Sequence, residues 1–186
     1  MNNKDLFAKH LQVFEILDDV RMTEKESDKR NKRAGILLAK IKEIGEDRID
    51  ENKLKKILES LKTEDIEKMV AMLKNFLEDK IQEKISGPKE RYDDKLEATL
   101  TPLIKLKFNE DPIKVLAEVY YRLVKDHPFI DGNKKIAVAF LLETLSKLNV
   151  NPSDQDIADI TIYVARSDAK KYATVSEQIT NYLKVL

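Results

Sequence analysis

The sequence predicts an all-α protein, and three observations carry that prediction. Glycine and proline are scarce, at 4 and 5 in 186 residues, while Lys, Glu, Leu and Ile, which suit helices, are abundant. Apolar residues recur three and four positions apart through most of the chain. Residues that suit helix starts stand ahead of several of these stripes.

Leu6, Phe7, Leu11, Phe14, Leu17 and Val20 predict a first helix near 4–22. Thr23 to Arg33 is almost wholly polar, so it reads as an exposed loop or a solvated helical continuation. Ala34, Leu37, Leu38, Ile41 and Ile44 form a second stripe, which Gly45 is placed to end. Asp50 is placed to cap a third helix bearing Leu54, Ile57, Leu58 and Leu61. Thr63, followed by Glu64 and Asp65, is read as the cap of a fourth helix. Its hydroxyl would take a backbone N–H, and the acids suit the dipole. That helix carries Ile66, Met69, Val70, Leu73, Phe76, Leu77 and Ile81. Ser86-Gly87-Pro88 breaks the pattern, dividing an N-terminal helical region, 1–85, from a second region, 86–186. The Lys/Glu runs of the first region read as solvated faces, with a partner-binding surface as the alternative.

In 99–108, Ile104, Leu106 and Phe108 alternate with Lys105 and Lys107, the one stretch with strand character. Asp111-Pro112 opens a helix with Val115, Leu116, Val119, Tyr120 and Leu123 on its inner face. A helix over 135–148 follows, and Asn149 to Ser153 closes it. Helices over 154–165 and 176–186 complete the expected elements.

Composition narrows the function classes. The chain has 34 basic and 34 acidic residues. That balance argues against nucleic acid as the main partner, which would favour a basic surface. There is no cysteine, which excludes disulfides and thiol chemistry and fits a reducing compartment. The first residues, Met1 to Asp5, are followed by no apolar core and do not read as a signal peptide. The longest clean apolar run, Ile136 to Leu142, is far shorter than the roughly 20 residues of a membrane span. The expectation is a cytoplasmic protein that does not engage a membrane.

The most informative stretch is His127-Pro128-Phe129-Ile130-Asp131-Gly132-Asn133-Lys134-Lys135. It is a polar loop running into an apolar helix. Backbone N–H groups at a helix start lack intrahelical partners and carry partial positive charge, so they form an anion site. A base, a carboxylate and two ammonium groups beside them suit phosphate. Pro128 disfavours helix at His127, so the loop begins there. Phe129 reads as the anchor of the loop in the core. Histidine's intrinsic pKa near neutrality suits a general base. The other histidine, His10, lies among charged neighbours on a predicted helix and is given no chemical role.

The same residues resemble the signature of the Fic/Doc family, H-x-F-x-[D/E]-G-N-[G/K]-R, with Lys135 where arginine is usual. The stretch through Leu148 is similar to that family's following helix. The resemblance implies a Fic/Doc-type helical core over 86–186, preceded by an N-terminal helical bundle. It implies His127 as the general base toward a target hydroxyl and Asp131 as the Mg2+ ligand, with an N-cap as the alternative role of Asp131. Gly132, Asn133, Lys134 and Lys135 would form the nucleotide-phosphate cradle. The implied cofactors are ATP and Mg2+. The implied partner is a target protein with a modifiable hydroxyl. In this family a β-hairpin flap holds the target by strand addition, and 99–108 stands where it could be that flap or an irregular connection.

Departures from the family pattern refine the reading. Lys134 replaces the second glycine of AMP-transferring members, and Val138 stands where their second arginine would be. Lysine after the asparagine and no second arginine resemble the Doc branch, whose toxins phosphorylate elongation factor Tu. Gly132 keeps the Fic side of the pattern. The resemblance therefore implies phosphoryl transfer slightly ahead of AMP transfer. A catalytically degenerate Fic-fold binding protein is the alternative, supported by Lys135, which lacks arginine's planar fork. A further alternative makes the N-terminal bundle a helical adaptor. The family's inhibitory motif finds its nearest match in Ser60 to Asp65, but with Val138 in the arginine's place Glu64 lacks its partner. Glu64 is read as a first-turn acid, and regulation by a separate antitoxin-like chain is expected instead.

Overall fold

The structure, a computed structural model, describes residues 2–18, 22–41, 49–85, 87 and 95–186. Expectations placed on Val20, Ile44, Gly45, Ser86 and Pro88 lie outside the described residues. Among the described residues the elements are helical: α1 (Asn3–Lys9), α2 (Leu11–Ile16), α3 (Glu24–Lys40), α4 (Glu51–Glu59), α5 (Thr63–Ile81), α6 (Lys95–Leu100), a 3-10 helix (Thr101–Phe108), α7 (Pro112–Lys125), α8 (Asn133–Lys147), α9 (Asp154–Arg166), a 3-10 turn (Ala169–Lys171) and α10 (Tyr172–Lys184). The all-α prediction is what the structure shows.

The helix starts follow from side-chain chemistry. Asn2, Thr23, Asp50 and Ser153 each accept a bond from a backbone N–H three residues on, using an N–H the helix leaves unpaired. Asp111 accepts from Ile113 and Lys114, and Pro112, which lacks an N–H, takes the first helical position. The polar stretch after Thr23 is therefore the first half of α3 rather than a loop.

Four expectations need correction. The first helix is two short ones, broken at His10, which is 4% exposed. Its Nδ1 meets the Asp154 carboxylate at the start of α9, a tertiary bond that a helix-face reading could not include. At the start of α5 the N-cap is Lys62, not Thr63: the Asp65 carboxylate accepts from the Lys62 N–H. The 99–108 stretch is the end of α6 plus the 3-10 helix, so of its two readings, flap strand or connection, the strand does not form. Leu106 is buried while Ile104 and Phe108 are exposed, so the alternation does not mark one buried sheet face. The last helix begins at Tyr172 rather than Ser176.

α7 and α8 are the middle of the fold. Ile136 to Leu142 is buried on every side of α8, as a helix apolar all round must be. α7 packs against α8 and α10, α3 lies along α9, and α1 and α5 cover α8. One apolar cluster runs from Leu6 to Leu183.

α3 is held to α9 by a buried carboxylate. Asp159, 2% exposed, meets Arg30 at 3.0 Å, Arg33 at 3.2 Å and Gln155 at 2.9 Å. Asp156 lies one turn earlier. Burial, then the charge of Asp159, pushes its carboxyl above the usual carboxylate range.

Two substitutions at this corner should act in opposite directions. Asp159→Ala leaves the mostly buried Arg30 with only the exposed Glu26 as a carboxylate partner, and urea melts should show a loss of roughly 3 kcal/mol. Asp156→Asn should stabilise at neutral pH. A raised folded pKa means that Asp156 favours folding below its unfolded pKa and loses that contribution as pH rises through the folded value. The gain from Asn should therefore shrink as the pH of the melts is lowered toward 3.8.

Candidate active site

The loop joining α7 to α8 is shaped by three residues. His127 takes φ +49°, a left-handed conformation that is uncommon for a non-glycine residue. It precedes Pro128, which already excludes helical continuation, so the chain leaves α7 abruptly. Phe129, 1% exposed, plugs the loop into the core. The Asn133 side chain then closes it: Oδ1 accepts from Phe129 N–H at 3.0 Å, and Nδ2 donates to Phe129 O at 3.0 Å.

Gly132 is the N-cap of α8, at φ +69°. A Cβ there would come within 3.1 Å of Ile85 Cγ2. Only glycine meets both conditions without strain. It also offers no side chain to cap the helix, and the N–H groups at a helix start are a suitable site for an anion. The N-cap role considered for Asp131 thus falls to Gly132.

His127, Asp131, Gly132, Asn133, Lys134 and Lys135 all line one cleft of about 350 Å³. His127 and Asp131 are exposed in it and Lys134 is half-buried. Asn133 is 7% exposed, and both ends of its amide are engaged by Phe129. Its side chain therefore shapes the cradle. Lys135 is 2% exposed and forms an ion pair with Glu83, just after α5. A buried ammonium needs such a partner. The left-handed Gln82 (φ 55°) turns the chain there.

Sequence reasoning missed the far wall of the cleft: Glu83, Lys84, Ile85, Leu17 and Ala165. No local signal marks them, because they meet the loop only through folding. Glu64 lies exposed in the first turn of α5 and is not part of this lining. A second cavity, of about 300 Å³, lies between α4, α5 and α8. It has no histidine, and its Glu143 and Lys147 pair with each other.

Chemically, the cleft offers a base, one exposed carboxylate, a helix N-terminus and lysines. Among the described residues, no group of three or more His, Cys, Asp or Glu side chains forms a metal cage. The donor set instead suits Mg2+ held by Asp131 together with phosphate oxygens and water, the usual arrangement for that ion. The lysines and the helix start suit the phosphates themselves.

A family model described as the Fic/DOC family matches residues 3–145. That span includes the whole of 127–135 and crosses from the N-terminal helices into α8. No curated protein and no solved structure matches the chain. Among the described residues, no helix is long and apolar enough to cross a membrane.

Gly132→Ala should destabilise the protein by about 1–2 kcal/mol through the left-handed backbone alone, with the Ile85 contact adding to it. Thermal melts of the two proteins measure this directly. A change of less than half that size would mean that the loop does not hold its left-handed turn.

Proposed function

Because the chain belongs to the Fic/DOC family, whose members are generally ATP-dependent transferases, we propose that it moves a phosphate-containing group from ATP to a Ser, Thr or Tyr hydroxyl of a target protein. The observation that carries this reading is the glycine-capped start of α8. Two lysines sit there, beside an exposed histidine, in one cleft. A helix start with cations beside it suits the phosphates of a nucleotide.

His127 takes the proton from the acceptor hydroxyl as its oxygen bonds to phosphorus. Bound ATP·Mg2+ supplies the electrophilic phosphorus and the leaving group. Asp131 holds the metal, and Gly132 lets the backbone approach the phosphates. The α8 N–H groups and Lys134 stabilise charge that grows in the transition state. Lys135 supports the cradle from beneath, through its pairing with Glu83.

Phosphoryl transfer is favoured slightly over AMP transfer. Lys134 stands in place of the glycine, and a fully buried Val138 in place of the second arginine, of AMP-transferring members. Control by a separate antitoxin-like chain accords with Val138, which leaves Glu64 without a cationic partner. One observation favours a second reading, nucleotide binding without transfer: Lys135 is buried and engaged by Glu83. Under that reading Lys135→Arg would create activity where the wild type has none.

Label transfer from α- and γ-labelled ATP in a bacterial lysate with Mg2+ separates these readings. Phosphoryl transfer predicts protein labelling from γ-label only, and nucleotide transfer predicts labelling from α-label with release of pyrophosphate. His127→Ala should lower either signal by about 10²-fold or more while leaving the melting temperature near wild type. Asp131→Ala should weaken labelling and raise the Mg2+ concentration at which it is half-maximal. Labelling that survives loss of His127 would contradict the proposal.

A further inference from the structure

We propose that Ile130 is a specificity-determining residue, selecting acceptor hydroxyls that have an apolar side chain beside them. The inference rests on the transferase reading above, since it assigns the acceptor side of the same cleft. Ile130 is 49% exposed and lines the cleft three residues from His127. The other large hydrophobics exposed among the described residues, Ile36, Met72, Ile104 and Phe108, are not part of that lining.

Ile130 has no route into the core. Its neighbour Phe129 fills the core position, and the two Asn133 bonds fix the Phe129 backbone. The loop therefore holds a β-branched apolar side chain toward water on a braced frame. Ile85, Leu17 and Ala165 line the same cleft from its far wall, so Ile130 adds apolar surface to the loop side, beside Asp131, Lys134 and Lys135. The charged side chains suit phosphates. An acceptor hydroxyl must come within hydrogen-bond reach of His127, which brings the flanking residues of its chain past the mouth of the cleft. Ile130, half-exposed at that mouth, presents the surface those flanking residues meet. Apolar contact there favours an apolar neighbour and disfavours a charged one, which would be desolvated without a partner.

The test uses the full chain and its Ile130→Val and Ile130→Glu variants. The sites labelled in a bacterial lysate are mapped by mass spectrometry, and Mg·ATP affinity is measured by calorimetry. Wild type and Ile130→Val should label sites with apolar flanking residues. Ile130→Glu should lose labelling of those sites by roughly tenfold or more and shift the remainder toward Lys and Arg neighbours, while Ile130→Val keeps ATP affinity within about twofold of wild type. An unchanged site profile for Ile130→Glu would overturn the inference. So would a fall in ATP affinity for Ile130→Val, because Ile130 would then serve the nucleotide. A wild-type protein that binds Mg·ATP but labels nothing, or that does not bind it, removes the transferase reading and this inference with it.

Discussion

The paired hydrogen bonds between the Asn133 amide and the Phe129 backbone set everything else in the cleft. They tie residue 129 to residue 133 and fix the path of the loop between them. Within that span Gly132 must take a left-handed turn, and Ile130 and Asp131 are held outward. The same tie fixes the start of α8, and so the direction of its first N–H groups. Only an amide supplies a donor and an acceptor in this geometry; a carboxylate in its place would lose the bond to Phe129 O. Phe129 joins this frame to the core, so the rigidity of the cleft derives from the packing of α7 and α8.

Electrostatics explain why the frame is built there. Three lysines, Lys84, Lys134 and Lys135, share the cleft with two carboxylates, Glu83 and Asp131. Lys134 and Lys135 oppose the positive end of the α8 dipole. Glu83 offsets this for Lys135 by pairing with it in the interior. Lys134, half-buried, carries its charge nearer to any anion in the cleft. The two lysines are adjacent in sequence yet differ in what they can do. Lys135 acts by holding Glu83, and with it the 83–85 wall, against α8.

The elements legible in the sequence are those fixed by local chemistry. α7 was readable from Asp111-Pro112 and its apolar face, and α8 from the run after Lys135. The loop between them was readable because its residue types are dissimilar and closely spaced. What escaped reading depends on distant contacts. The break at His10 follows from Asp154, 144 positions away, and the burial of Lys135 from Glu83, 52 positions away. The 99–108 stretch misled because alternation over a few residues also arises on a 3-10 helix, where Leu106 turns inward while Ile104 and Phe108 do not. Thr63 misled because Asp65 reaches back to cap from inside the helix.

The central claim is that the start of α8 is an anion site for a nucleotide's phosphates. The most direct measurement is a titration of isotope-labelled protein with a non-hydrolysable Mg·ATP analogue, followed through backbone amide resonances. The account predicts that the largest saturating shifts fall on residues 131–136, and that inorganic triphosphate reproduces them. Saturable shifts centred on the cavity between α4, α5 and α8, or no saturable shift at all, would contradict it.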